Sequence, residues 1–457
     1  MRNLVAYEDK EIEPTRVVIV GGGAAGVITA AQLLRDADSE HPVDVRIIER
    51  DEVMGPGLAY RTSHPLHTLN NFAARLSAVD GDPDHLLRWC ADHGVPADPQ
   101  SFLPREVYGR YLADVLDEVV VPPGSALRRT RGVVADLTED GPHLTAHLSC
   151  GMTIEADTVV LALGNPPPRR QPQLEALGER YLPDPWAADL HARARDAQEV
   201  LLVGTGLTMV DVVASLHDAA PGTRFTAVSR HGLLPQAHRR GSVRLHDVFN
   251  PGTPSLDATL ASVRARIQEV EEVGGDWRDV VDSVRVCAND LWSRFSRADR
   301  ERFVAEVARR WEISRHRMSP EMASHVDYLR ESGTLRIERV DDVDISTFDL
   351  AVNCTGPAPA PTPGWNPVVD ALLARGAIRP HHLGLGLDLD ADGRAVDTAG
   401  LAHPAIYVVG AARRGVEWEV AAIPDLRNQA ARLATHVVQA QASATVEASS
   451  PEEVVPA

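Results

Sequence analysis

The run Arg16-Val-Val-Ile-Val-Gly-Gly-Gly-Ala-Ala-Gly26 decides the fold of this chain. After Arg16, the four residues Val17 to Val20 are a continuous β-branched stretch, the pattern of a strand buried on both faces. Gly21, Gly23 and Gly26 follow at the spacing that turns the strand sharply, lets a pyrophosphate approach the backbone and packs the next helix closely. Val27 to Arg35 then has helical spacing, and a second apolar strand, Val43 to Ile48, ends at Glu49, 23 residues beyond Gly26. This pattern predicts a βαβ unit for a dinucleotide, with Glu49 placed to accept from ribose hydroxyls. Gly21, Gly23, Ala25 and Gly26 are the expected phosphate cradle, because a helix N-terminus favours negative charge.

A second unit begins at Glu199: strand Val200 to Val203, turn Gly204-Thr-Gly-Leu-Thr-Met209, helix Val210 to Leu216, strand Phe225 to Val228. Met209 stands in the place of the third glycine. The following strand ends in Ser229-Arg230-His231 rather than in an acid. An acid there accepts from the 2′-hydroxyl of NAD, whereas an arginine accommodates the 2′-phosphate of NADP. Gly204, Gly206, Thr208, Ser229 and Arg230 are therefore expected to hold NADPH, and the first unit, which carries the acid, FAD. Two such sites in one chain fit a resident flavin and a visiting nicotinamide that delivers hydride to it.

Three further apolar strands end in glycine: Thr158 to Gly164, Asp349 to Gly356 and Ala405 to Gly410. Gly164, Gly356 and Gly410 join the cofactor-binding candidates. The fold class is α/β, with two Rossmann-like dinucleotide-binding domains. The FAD domain is expected to be discontinuous, residues 16–168 and 349–440, with the NADPH domain 198–348 inserted. Residues 256–330 within it are charged and helical in period, with Trp277, Trp292 and Trp311 as core anchors. Residues 1–15 and 441–457 read as disordered ends.

Charge and composition narrow the function. The 457 residues make two or three domains at roughly 150 residues each. With 46 basic against 65 acidic residues the net charge is −19, which disfavours a nucleic-acid partner. No membrane span is expected: the longest stretch without a charged or strongly polar residue, Val17 to Ala31, has 15 residues where a span needs about 20. Acidic residues precede it, so a signal peptide is not expected. Lys10 is the one lysine among those basic residues, which removes Schiff-base chemistry and the P-loop. HExxH, GxSxG and CxxC motifs are absent, no metal is expected, and four scattered cysteines read as reduced thiols of a cytoplasmic protein. Flavin disulfide reductases, which relay electrons through a close cysteine pair, are disfavoured.

Longer runs carry a resemblance. GPGLAY (Gly55 to Tyr60), HTLN (His67 to Asn70), FLPREVYGRYL (Phe102 to Leu112), LALGNPPP (Leu161 to Pro168) and LLVGTGLTMVD (Leu201 to Asp211) are similar to a bacterial flavoprotein family. So are SRHGLLPQAHR (Ser229 to Arg239), RHRMSP (Arg315 to Pro320), NCTGP (Asn353 to Pro357) and RRGVEWEVAAIPDLRNQA (Arg413 to Ala430). Together they resemble the FAD/NAD(P)-binding flavoproteins grouped with the nitrosuccinate-forming L-aspartate N-monooxygenases.

The resemblance implies a monooxygenase in which NADPH reduces FAD. Oxygen then adds to the flavin, and the C4a-hydroperoxide N-hydroxylates a small amine or amino acid, with O2 as co-substrate. The rival readings are a flavin oxidoreductase or oxidase without oxygen insertion and a non-catalytic flavin-binding redox protein. It further implies Arg105 and Tyr108 at the flavin or substrate mouth, and His67 and Asn70 beside the isoalloxazine. Trp418 and Glu419 are implied where the chain passes the flavin ring, Glu419 as a base for the amine. His238, Arg239, Arg240, Arg315, Arg317, Arg413 and Arg414 are further candidate contacts for a carboxylate. Gly410 is followed by Ala411, where many such flavoproteins place an acid on the ribityl chain, so another group must serve there. The number of copies in the assembly is left open.

Overall fold

A computed structural model describes residues 12–141, 143–241 and 255–449. Strand β1 (Thr15–Val20) pairs in parallel with β2 (Val43–Glu49), the helix Ala24–Asp36 connects them, and β3 (Ala126–Arg131) extends the sheet. Val17 to Val20 are all buried, as a strand covered on both faces requires. β4 (Val134–Asp140), β5 (His143–Leu148) and β6 (Thr153–Ala156) form a separate antiparallel meander. β7 (Thr158–Leu161) returns to the first sheet beside β1.

The second sheet is wholly parallel. It comprises β8 (Tyr181–Leu182), β9 (Glu199–Val203), β10 (Arg224–Ser229), β11 (Leu335–Arg339) and β12 (Leu350–Asn353), in the order β11-β10-β9-β12-β8. β13 (Arg394–Val396) and β14 (Ala402–Val408) complete the first sheet, whose order is β13-β14-β7-β1-β2-β3. The α/β class with two Rossmann-like units is therefore observed.

Three expected boundaries are corrected. Leu350–Asn353 pairs with β9, Ala351 opposite Leu201, so it belongs to the second sheet and the first domain does not resume at 349. β8 likewise starts the second sheet before residue 198. The final helix runs Ile423–Ser449, so residues 441–449 are helical; residues 1–11 and 450–457 lie outside the described residues.

The inserted helices, among them Leu256–Glu272, Trp277–Val286, Ala288–Arg294 and Ala308–Arg315, enclose a core of their own. Trp292 is its anchor, with its indole N–H donating to the Gly415 carbonyl at 2.9 Å. Trp277 and Trp311 are only half-buried: Trp277 lies under the Arg278 guanidinium, and Trp311 donates to Glu419.

Both Rossmann units share one tight crossing. Gly21 has φ +108°, and a Cβ there would stand 2.3 Å from the Ala162 carbonyl oxygen. Gly204 has φ +118°, and its Cβ would stand 2.3 Å from the Cys354 carbonyl oxygen. Each glycine lies where the strand order reverses, the place at which open parallel sheets bind ligands. Met209, in place of a third glycine, is fully buried in the second core. Gly21→Ala and Gly204→Ala should each cost about 2 kcal/mol or more, through forbidden φ and a displaced carbonyl. Thermal melting should show the loss in both variants; unchanged melting would contradict the crossing.

Candidate functional site

Both first-turn helices begin without a side-chain cap. Gly23 precedes Ala24–Asp36 and Gly206 precedes Leu207–Ala219, neither offers a capping atom, and neither helix has an acid in its first turn. Three of the inserted helices are capped, by Ser255, Asp276 and Ser296, whereas Ala288–Arg294 and Ala308–Arg315 are not. N–H groups left open at a helix start next to a glycine crossing fit a diphosphate at both turns.

The first cradle gathers several predicted residues. Glu49 closes the end of β2, accepting from Gly22 N–H at 2.6 Å and from the backbone of Arg50 and Asp51. Gly26 has no room for a side chain, since a Cβ would lie 1.9 Å from the Gly21 carbonyl oxygen. The GPGLAY run packs over the turn: Gly55 N–H donates to the Gly22 carbonyl at 2.7 Å, and a Cβ on Gly57 would meet Gly23 Cα at 3.1 Å. Gly410 lies against Ala25, 3.6 Å from a built Cβ to the alanine methyl, and its N–H donates to Gln429 Oε1 at 2.8 Å. Gly164 stands three residues beyond β7, with open space around it.

The second cradle opens on a cavity of about 220 Å³ lined by Gly206, Thr208, Arg309, His316, Thr355 and Gly356. Gly356, which follows β12, therefore belongs to the nicotinamide side and not to the FAD segment in which its strand was expected. Ser229 is internal scaffolding, bonded to the Thr205 hydroxyl at 2.9 Å and accepting from Gly232 N–H at 3.0 Å. Arg230 is exposed beyond β10, and among the described residues no acid pairs with it.

The predicted catalytic residues lie elsewhere than expected. Arg105 is not an open cation at a mouth: its guanidinium pairs with Asp211 at 2.7 Å, and its Nε donates to the Thr68 carbonyl. Tyr108 is fully buried, with its hydroxyl donating to the Leu76 carbonyl at 2.7 Å, which makes it core. Glu419 is buried against Arg315 at 3.3 Å and Trp311 Nε1 at 3.2 Å. Burial pushes its carboxyl up, but Arg315, His316 and Arg285 outweigh this and hold it below the usual range, so it is a locked anion rather than a free base. Trp418 packs between Trp292 and Phe303 under the Arg414 guanidinium, inside the helical core rather than on a flavin.

His67 and Asn70 sit at the seam between the domains. The His67 Nε2–H donates to the Asp211 carbonyl at 2.7 Å, and Nδ1 accepts from the Thr62 hydroxyl, so a neutral ring satisfies both partners. The Asn70 carbonyl accepts from His238 Nε2 at 2.9 Å. Of the other arginine candidates, Arg239 pairs with Asp279, Arg240 with Glu321, Arg315 with Glu419, Arg317 with Asp282, Arg413 with Glu417 and Arg414 with Glu312.

Sequence reasoning gave no role to three residues. Asp211 anchors the seam, and its signal was an acid inside the apolar helix run Val210-Asp-Val-Val213. Gln429, in the last helix, holds Gly410. Arg309 reaches the second turn from the inserted segment, and nothing in its local sequence marks it.

Residues 18–166 match the model of a family described as FAD-NAD(P)-binding. No curated protein matches the chain. Among solved structures it is similar to the ornithine N-hydroxylase of Kutzneria sp. 744, described with reduced FAD, NADP+ and L-ornithine: 17% identity, 93% of this chain, 99% of that chain, TM-score 0.59. L-lysine 6-monooxygenase from Pseudomonas syringae aligns over the same shares at 15% identity and TM-score 0.58. Bacillithiol disulfide reductase from Staphylococcus aureus aligns over 94% of this chain and 99% of its own at 12% identity and TM-score 0.53. At these identities the likeness establishes the fold. It is a fold shared by flavin monooxygenases, with residues 18–166 matching the FAD-NAD(P)-binding model. Among the described residues no helix is long and apolar enough to cross a membrane.

Two outcomes test this geometry. Glu419→Gln leaves Arg315 without its buried carboxylate and should destabilise the protein by about 3 kcal/mol. A variant that melts like the parent but loses the acid limb of its pH–rate profile would restore Glu419 as a base. Burial, the first cause in each case, pushes His67 and His381 down to about 4 and His238 to about 3, while it pushes Asp211 up to about 6. Between about pH 4 and 6.5 the unfolded chain binds protons that the three folded histidines refuse, and folded Asp211 takes up one that partly offsets them below 6. The histidine contribution is therefore present above 6.5 and lost on acidification, on the order of 1–3 kcal/mol per pH unit near pH 5. Melting temperatures from pH 7.5 to 5 should fall accordingly; a flat profile would contradict it.

Proposed function

We propose that the protein is an FAD- and NADPH-dependent monooxygenase that N-hydroxylates a small amine or amino acid. The observation that carries this reading is the pair of uncapped glycine turns in one chain, the first with Glu49 at its rim and the second with the unpaired Arg230. The likeness to an ornithine N-hydroxylase and an L-lysine 6-monooxygenase over 93% of the chain supports it.

The residues divide the work. The Gly21–Gly26 turn and Glu49 would hold the FAD diphosphate and ribose. Gly204 to Thr208 would receive the diphosphate of NADPH, and Arg230 its 2′-phosphate. When bound, the flavin and nicotinamide supply oxygen activation and hydride, which no side chain can. Arg105–Asp211, His67–Asp211 and His238–Asn70 fasten the two domains and keep water from the space between them.

The reading is tested by reducing the flavin-loaded protein anaerobically with NADPH, then admitting oxygen with candidate amines. A product heavier by one oxygen supports it. Peroxide alone, with every amine unchanged, would favour an oxidase, and electron delivery to a disulfide would favour the reductase chemistry named for the bacillithiol relative. Arg230→Ala should raise KM for NADPH about tenfold or more while leaving NADH within about twofold; equal effects would sink the NADPH assignment.

A further inference from the structure

The helix Ala308–Arg315 belongs to neither dinucleotide unit, yet it walls the second cradle. Arg309, in its first turn, reaches over the glycine crossing. Its Nη2 donates to the Leu233 carbonyl at 2.8 Å and to Thr205 Oγ1 at 3.3 Å, and its Nη1 lies 4.0 Å from where a Gly206 Cβ would stand. Among the described residues Nη1 and Nε donate to no protein atom, and no acid pairs with the guanidinium.

Half-buried Arg300 shares this isolation, donating among the described residues only to the Trp292 and Ser293 carbonyls. Arg315, Arg317 and Arg413, all buried, each hold a carboxylate. Arg309 instead is half-buried and faces the uncapped start of Leu207–Ala219, another positive end, across the open cavity. Burial lowers its pKa and Arg230 lowers it further, with only Glu312 opposing. A cation and a helix N-terminus facing one cavity, whose lining acid Glu312 is matched by Arg414, form an anion site.

We propose that Arg309, supplied by the inserted helical segment, is a ligand of the bridging diphosphate of the nicotinamide dinucleotide. This rests on the reading of the second cradle given above. It separates two roles: Arg230 distinguishes NADP from NAD, whereas Arg309 holds what the two share. It also ties cofactor to domain docking. Glu312, three residues along the same helix, pairs with Arg414, whose guanidinium lies 4.4 Å over the Trp418 ring in the closing run of the FAD domain.

The test is titration calorimetry on the FAD-loaded protein with NADP+, NAD+ and adenosine 2′-monophosphate. Arg309→Gln should weaken NADP+ and NAD+ by the same factor, about tenfold or more, and leave adenosine 2′-monophosphate within about twofold. Arg230→Ala should weaken NADP+ and adenosine 2′-monophosphate and spare NAD+. In the parent protein NADP+ should slow amide exchange across residues 308–315, a readout that needs no variant to fold. NADP+ affinity unchanged in a folded Arg309→Gln, or no protection of that helix, overturns the inference alone. A parent protein that binds FAD but neither nicotinamide dinucleotide overturns it together with the NADPH reading.

Discussion

Two glycines pressed against carbonyl oxygens govern this molecule. Gly21 under Ala162 and Gly204 under Cys354 leave no space for a β-carbon, and both take a φ that L side chains avoid. Because each first strand exits its sheet at that contact, the following helix starts beside the neighbouring strand with its N–H groups pointing into a crevice. A bulkier residue would push the strands apart and close the crevice at once. The open helix starts and the positions of Glu49 and Arg230 all follow from this crossing.

A second constraint is electrostatic. The folded, described part of a chain with net charge −19 carries its positive charge entirely on arginine, and most of those arginines are matched to carboxylates. Asp282 is shared by Arg75 and Arg317, Asp425 holds Arg285, and Asp211 holds Arg105. These pairs join the first domain, the second domain and the inserted helices. Buried ion pairs add little net stability over apolar packing, but breaking one leaves a stranded charge, so they fix which faces may dock. Against that background the two unmatched arginines at the second turn, Arg230 and Arg309, mark where an external anion completes the balance.

How far a residue's role could be read in advance depended on how local its cause is. The positions of the turn at Gly21 to Gly26, of Glu49 at the next strand end and of Arg230 after β10 were legible because strand, turn and helix are adjacent in sequence and each glycine has a steric reason. Arg105, Tyr108, Trp418 and Glu419 were misplaced because position in a motif says nothing about which way a side chain faces. Tyr108 turned into the core, Trp418 into a helical insertion far from it in sequence, and Glu419 onto Arg315, 104 residues upstream. Arg309 was invisible for the same reason, since its partners Thr205 and Leu233 lie 104 and 76 residues away in the sequence.

The sequence by itself determined the two Rossmann units, their glycine turns and a set of cations that is arginine save for Lys10, because these depend on periodicity, on the missing β-carbon and on composition. Only the tertiary structure decided that β12 and Gly356 serve the second sheet, that the arginines of the family runs mostly clamp domains, and that an inserted helix brings Arg309 to the nicotinamide turn. Strand register and long-range charge pairing arise from which surfaces meet, and no local window of residues contains that information.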